Sequence, residues 1–158
     1  MKSINILPPE EEFIVDSNAM EEFQNETIRT NNGIILLCTL GNAILSINGH
    51  RYSLSSGMMC VIFPYDLIEI SNADENFQVT SIITSEMFIR EASLHLENVI
   101  HDFFHANRIL PVKNKQEFTI VKSMMQWMYK IFVDKESYVR RELFLINIRI
   151  FFLNIYDK

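Results

Sequence analysis

The chain has 158 residues, of which 48% are hydrophobic, 14 are basic and 20 are acidic, for a net charge of −6. This length and apolar content predict one compact globular domain. The acidic balance, with no run of Lys or Arg, predicts that this chain does not itself bind nucleic acid, because binding to the phosphate backbone depends on clustered cations.

No apolar run approaches the roughly 20 residues of a membrane-spanning helix, and no basic segment followed by an apolar one opens the chain as in a secretion signal. Only Cys38 and Cys60 are present, each inside an apolar stretch. This usage is typical of reduced thiols in a protein core. We therefore expect a cytoplasmic protein without membrane contact.

The first part of the chain predicts strands. Within residues 1–32, short strands are expected around Ile4 to Leu7 and Phe13 to Val15. The four glycines, Gly33, Gly41, Gly49 and Gly57, are spaced by eight, which is the strand-plus-turn period of a β-meander or barrel. About six strands follow between residues 33 and 84.

Two local patterns in this region are specific. Ile34 to Leu40 is almost continuously apolar, as in a strand covered on both faces. Asn48-Gly49 lies between Ala43 to Ile47 and Tyr52 to Leu54, and this dipeptide tolerates the positive φ angles of a type I′ turn. A β-hairpin is therefore predicted at Asn48-Gly49.

Residues 85–156 predict three helices. The first begins at Ser85, a capping residue, and ends before Pro111; its expected face is Phe88, Ala92, Leu96, Val99 and Phe103. The second runs from about Lys115 to Val133, with Phe118, Val121, Met125, Met128 and Phe132 on its apolar face. The third runs from about Ser137 to Tyr156.

The third helix carries two apolar stripes instead of one. One stripe is Val139, Leu143, Ile146, Ile150 and Leu153, and the other is Phe144, Ile148, Phe151 and Ile155. The first steps by four and three residues, the spacing of a short coiled-coil seam. We expect this stripe to form the interface of a homodimer; the alternative is a helix buried on both sides within its own domain.

The stretch from Gly33 through Ile83 resembles the cupin-type barrel of AraC-family transcription regulators, in the variety found among Bacteroidetes. The resemblance lies in Cys38-Thr39-Leu40-Gly41, in Leu45 to Gly49 followed by Tyr52-Ser53-Leu54, and in Met58 to Phe63 running into Pro64. It implies an α+β fold: a cupin-like, jelly-roll β-barrel at 1–84 and a helical dimerisation segment at 85–158 packed on it as one compact unit.

The resemblance also implies a function. Barrels of this family sense an effector, often a sugar or another metabolite, or serve to dimerise the protein, and a helix-turn-helix domain that binds DNA normally follows. Because this sequence stops at Lys158 in a predicted helix, we expect a regulatory domain without that DNA-binding half. A stand-alone cupin that binds a small molecule is the alternative.

A metal-dependent cupin enzyme is a less favoured alternative. Enzymatic cupins hold a metal with several histidines and a glutamate, whereas the barrel part of this chain has only His50. His101, His105 and Glu97 share a helical face, but polar residues at that spacing are more typical of a solvated face. We expect no catalysis, no metal and no cofactor.

An effector would lie inside the barrel, but the inward face cannot be chosen from the sequence. Either Leu36, Cys38, Leu45, Ile47, Cys60 and Ile62 or their neighbours face inward, and core side chains fill a small barrel as often as they leave a cavity. Tyr52, Tyr65 and Asp66 are polar candidates near strand ends. A filled interior would favour dimerisation alone, and an open one would favour sensing.

Overall fold

The computed structural model describes residues 2–17, 20–112 and 114–157. Within them the chain has nine strands, four α-helices and one short 3-10 helix, Glu21–Phe23. The strands form two antiparallel sheets that face each other, and the helices cover the outer face of one sheet. The predicted α+β class with a cupin-like fold is confirmed, and the predicted barrel has the form of a two-sheet sandwich.

The two sheets draw on alternating parts of the chain. Strands β1 to β9 are Phe13–Asp16, Ile28–Arg29, Gly33–Leu40, Asn42–Ile47, His50–Ser55, Met58–Ile62, Leu67–Ser71, Gln78–Thr84 and Ile109–Pro111. One sheet has the order β1-β8-β3-β6-β9 and the other has the order β2-β7-β4-β5. The six strands from β3 to β8 are those predicted between residues 33 and 84.

Strand β3 is buried on both faces, as its continuous apolar run predicts. Ile34, Leu36 and Cys38 point into the space between the sheets. Ile35 and Leu37 point the other way and belong to the core beneath the helices. Because strand side chains alternate, one strand supplies both cores and ties the helical layer to the sandwich.

The turn at Asn48-Gly49 is the predicted hairpin. Asn48 has φ 51° and Gly49 has φ 86°, the two positive angles of a type I′ turn, and β4 pairs with β5 from Asn42 opposite Ser55 to Ile47 opposite His50. Gly41 is needed for a second reason besides its φ of 75°. A Cβ there would lie 2.7 Å from the backbone of Phe77.

The helices differ from the prediction at the first helix and at the start of the last one, which begins at Arg140 and not near Ser137, so that Val139 precedes it. Helices α1 to α4 are Glu86–Ser93, Asn98–Ala106, Lys115–Val133 and Arg140–Asp157. The predicted first helix is thus two helices, since the chain leaves the first helix at Leu94 and a new one begins at Asn98. His101 Nε2 lies 2.9 Å from the carbonyl oxygen of Ser93 and holds α2 against the end of α1.

The break between α1 and α2 also changes what the predicted face does. Phe88 and Ala92 are buried, whereas Val99 is exposed. After α2 the chain forms β9, which no pattern predicted, and β9 pairs with β6. A strand of the first sheet therefore comes from within the segment predicted to be wholly helical. None of the helices in the described residues is long and apolar enough to cross a membrane.

Candidate functional site

The two stripes of α4 have different environments. Phe144, Ile148 and Phe151 are fully buried in the core between the helices and the first sheet. The predicted interface residues all face solvent, with exposed fractions from 37% to 53%; they are Val139, Leu143, Ile146, Ile150 and Leu153. The helix is therefore buried by its own domain on one side only.

The rotation of α4 is fixed by contacts on its buried side. The Phe144 ring stacks on Phe13 with 3.9 Å between centroids. Arg141 bridges Glu12 at 2.7 Å and Glu91 at 2.5 Å, and Arg149 Nε donates to the carbonyl oxygen of Ala92 at 3.2 Å. These contacts keep the predicted interface stripe pointing outward, because turning it inward would break all of them.

A cavity of about 860 Å³, here called the α3–α4 cavity, lies beside the exposed stripe. Its walls come from α2, β9, α3 and α4, and its rings are Phe103, Trp127 and Tyr156. Ile150 belongs both to this cavity and to the stripe. The sequence analysis did not identify Trp127 and Ile120 as exposed residues of a candidate site. Their position off the predicted apolar face of α3 could have indicated it.

A second cavity, of about 850 Å³ and here called the β-face cavity, lies on the other side of α3. Its floor includes Val15, Leu37 and Met125, and Lys122 and Lys130 stand among the residues around it. Trp127 contributes to both cavities. Neither cavity lies between the two sheets.

The space between the sheets is filled by apolar side chains. Of the two sets left open by the sequence, the inward set is Leu36, Cys38, Leu45, Ile47, Cys60 and Ile62, and each of these is at most 2% exposed. Burial raises the pKa of the Cys60 thiol, so this sulfur is an inert core group. A ligand in this space would have to displace core side chains.

Asp66, a candidate for orienting a ligand, instead forms a buried ion pair. Arg108 Nη1 donates to Asp66 Oδ2 at 2.5 Å, and Asn48 Nδ2 donates to Asp66 Oδ1 at 2.9 Å. The amide of Phe63 donates to Oδ2 at 2.7 Å. Burial alone would raise the pKa of Asp66, but these hydrogen bonds lower it below its usual range. The pair locks the hairpin turn, the Pro64 turn and the end of α2 together.

The other polar candidates lie at the surface. Tyr65 is exposed and donates its hydroxyl to Glu86 at 2.5 Å, and Tyr52 packs at the edge of the sandwich core. His105 stacks on Phe63 with 4.0 Å between ring centroids, where partial burial and the nearby Arg108 lower its pKa. In the part of the chain that the structure describes, no group of three His, Cys, Asp or Glu side chains has the arrangement of a metal site.

No protein-family profile and no curated protein sequence matches the chain. Among solved structures, it is similar to ToxT K231A from Vibrio cholerae, at 12% identity over 93% of this chain and 55% of that one, with a TM-score of 0.51. It is similar to the AraC-like transcriptional activator CuxR at 9% identity over 81% of this chain and 43% of that one, with a TM-score of 0.51. Vibrio cholerae ToxT bound to an unsaturated fatty acid matches at 13% identity over 92% and 53%, with a TM-score of 0.50.

The chain has a cupin-like fold. It spans about half the length of the structures it matches. Within this fold, the features that reach the surface with a distinct chemistry are the α4 stripe and the two cavities beside α3. The stripe is an exposed apolar surface of the kind that often marks an association site, and the cavities are of the size that small molecules occupy.

Proposed function

We propose that this chain is the regulatory domain of an AraC-type transcription regulator and that it forms a homodimer through the exposed stripe of α4. The observation that carries the proposal is a row of exposed apolar side chains, Leu143, Ile146, Ile150 and Leu153 on the solvent side of α4 and Val139 just before its first residue, while the other side of the helix packs in the core. The shared fold with the AraC-like activator CuxR supports the regulatory role. DNA would be bound by another part of the regulator, since the net charge of this chain is −6.

The stripe has the chemistry of a helix–helix interface. Burying one large apolar side chain stabilises by roughly 1.5 to 3 kcal/mol relative to leaving it exposed, and the five stripe residues are only partly covered in the single chain. The alternating steps of four and three residues keep them on one seam along the helix. A second copy of α4 offers the same seam, so the association is self-complementary.

The filled sandwich favours dimerisation over sensing inside the barrel. The inward side chains leave the sheet interior occupied, in contrast to the open interior with a few convergent polar groups that a barrel sensor would need. The proposal therefore places no effector between the sheets, and it assigns no catalysis to the chain. A stand-alone small-molecule-binding cupin remains the second candidate, supported by the two cavities beside α3.

Light scattering tests the proposal with two triple variants. The test variant carries Leu143→Gln, Ile146→Gln and Leu153→Gln, which change the stripe without touching either cavity lining. The control carries the same kind of change at three exposed apolar residues outside α3 and α4, which are Leu40, Met87 and Leu94. We expect the wild type and the control to have twice the mass of one chain and the test variant to be a folded monomer.

A wild-type chain that stays monomeric at every practical concentration would contradict the dimerisation proposal and favour the stand-alone binding domain. A test variant that remains dimeric would place the interface elsewhere on the surface. Circular dichroism of both variants shows whether the fold is retained.

A further inference from the structure

The α3–α4 cavity has the dimensions of a small-molecule site. Its volume of about 860 Å³ lies within the roughly 300 to 1,000 Å³ of such sites. Phe103 and Tyr156 meet edge to face with 5.2 Å between centroids and make one wall from α2 and the end of α4. Trp127, which is 52% exposed, stands at the opposite helix.

The charges around this cavity disfavour an anionic occupant. None of the described residues that line it is Lys, Arg or His, and Glu117 is its one charged group. Glu117 lies in the first turn of α3, where the helix N-terminus already stabilises a carboxylate. A carboxylate or phosphate entering this apolar space would lose water without gaining a cation from the described lining residues, which is unfavourable.

Two asparagines of α4 place side-chain amides in the lining. Asn147 and Asn154 line the cavity from one face of the helix, two turns apart. Asn147 Nδ2 donates to the carbonyl oxygen of Leu143 at 2.7 Å, which leaves its Oδ1 to accept a hydrogen bond. A side-chain amide can both donate and accept, so this wall suits a hydroxyl or carbonyl group.

We propose that the α3–α4 cavity binds an uncharged, largely apolar molecule that carries a hydroxyl or carbonyl group, with its apolar body against Trp127, Ile120 and Phe103. The site rests on the cavity and its chemistry. Its regulatory meaning rests on the proposed dimerisation through α4, because Ile150 lies both in the cavity and on the stripe. A molecule bound against Ile150 changes the surface offered to a second copy, so binding and dimerisation are thermodynamically linked.

The test uses tryptophan fluorescence, since Trp127 is the only tryptophan of the chain. The two probes are 1-adamantanemethanol, which is neutral, and adamantane-1-carboxylate, which has the same apolar body and a negative charge at pH 7. We expect the alcohol to change the emission of Trp127 saturably and the carboxylate to bind at least about tenfold more weakly, because the described lining residues include no cation.

Three variants assign the signal to one cavity. Ile120→Arg places a charge in the α3–α4 cavity and Asn154→Leu removes a polar contact; both should weaken binding of the alcohol, the first by about tenfold or more. The control, Lys122→Gln with Lys130→Gln, alters only the β-face cavity and should leave binding of the alcohol within about twofold. Ile120 and Asn154 are both exposed, and circular dichroism verifies the fold.

The proposal is overturned if neither probe gives a saturable change. It is equally overturned if the carboxylate binds better than the alcohol and the lysine variant abolishes binding, since the site would then be the β-face cavity. Light scattering with and without the alcohol measures the oligomeric state independently of the binding signal. A chain that binds the alcohol but is always monomeric would keep the site and contradict the dimerisation proposal, so the two failures are distinguishable.

Discussion

Single residues hold the turns of the sandwich together, and the buried pair of Arg108 and Asp66 is the most consequential of them. The Arg108 and Asp66 side chains are 12% and 8% exposed, and Asp66 accepts hydrogen bonds from three different segments. Removing one partner of a buried pair leaves an uncompensated charge, which costs far more than the loss of a surface pair.

We expect Arg108→Met to lower the free energy of unfolding by about 3 to 5 kcal/mol. Urea denaturation followed by circular dichroism measures this. The matched control is Arg90→Met, which breaks an exposed pair with Glu86 and should cost less than about 1 kcal/mol. Equal losses of unfolding free energy in the two variants would show that the buried pair stabilises the fold no more than the exposed pair does.

The pair also predicts how stability depends on pH. The pKa of Asp66 is lowered in the folded chain, so its contribution to stability is fully present above the unfolded-state pKa of about 3.9. That contribution is lost as the pH falls through the lower, folded-state pKa. The free energy of unfolding should therefore fall more steeply below about pH 4 in the wild type than in Asp66→Asn. Parallel curves would contradict this role of Asp66.

Gly41 should tolerate substitution worse than Gly57, although both have positive φ. A Cβ at Gly41 meets the backbone of Phe77 at 2.7 Å, whereas a Cβ at Gly57 meets nothing within 4 Å. Gly57→Ala should cost about 1 to 2 kcal/mol for its backbone conformation alone, and Gly41→Ala should cost more than about 2 kcal/mol. Urea denaturation of the two variants compares them directly, and a smaller loss at Gly41 would refute the steric argument.

At the scale of elements, local patterns in the sequence predict a helix, strand or turn correctly where its own residues determine its conformation. The hairpin at Asn48-Gly49 and the bounds of α3 follow from turn chemistry and helical spacing. Strand β9 was not predicted, because its three residues have no periodicity and its pairing partner β6 is distant in sequence. The break between α1 and α2 was missed for the opposite reason, since the spacing of apolar residues continues across it.

The candidate site was predictable only in part. Both stripes of α4 follow from helical spacing, but which stripe enters the core depends on Phe13, Phe88 and the rest of the tertiary structure. The inward face of the sandwich was undecidable because both faces of β3 are apolar and buried. The cavities beside α3 result from four elements meeting, which no local pattern encodes.

The two faces of α4 can be compared with one kind of substitution. Ile148 is fully buried and Ile146 is 49% exposed. In the background of Leu143→Gln and Leu153→Gln, which should be monomeric, Ile148→Ala should cost about 2 to 5 kcal/mol and Ile146→Ala less than about 0.5 kcal/mol. Urea denaturation measures both, and a similar loss at the two positions would mean that the chain itself buries both stripes.

At the scale of the whole molecule, the first sheet packs against the second sheet on one face and against the helices on the other. The helical layer leaves an apolar seam, the exposed stripe of α4, at the surface. If a second copy covers that seam, stability must depend on protein concentration, because association draws chains from the unfolded state. Raising the concentration about 100-fold favours the folded dimer by about 1.4 kcal/mol per chain, which raises Tm by about 3 to 5 °C in a chain of this size.

The expected result is a Tm that rises with concentration in the wild type and stays constant in the variant with Leu143→Gln, Ile146→Gln and Leu153→Gln. Differential scanning calorimetry at both concentrations provides the measurement. Substitutions at Leu40, Met87 and Leu94 should leave the concentration dependence intact, since these exposed residues lie outside α3 and α4. A wild-type Tm that does not change with concentration would mean that the stripe contributes nothing to folding through association, whatever else it contacts.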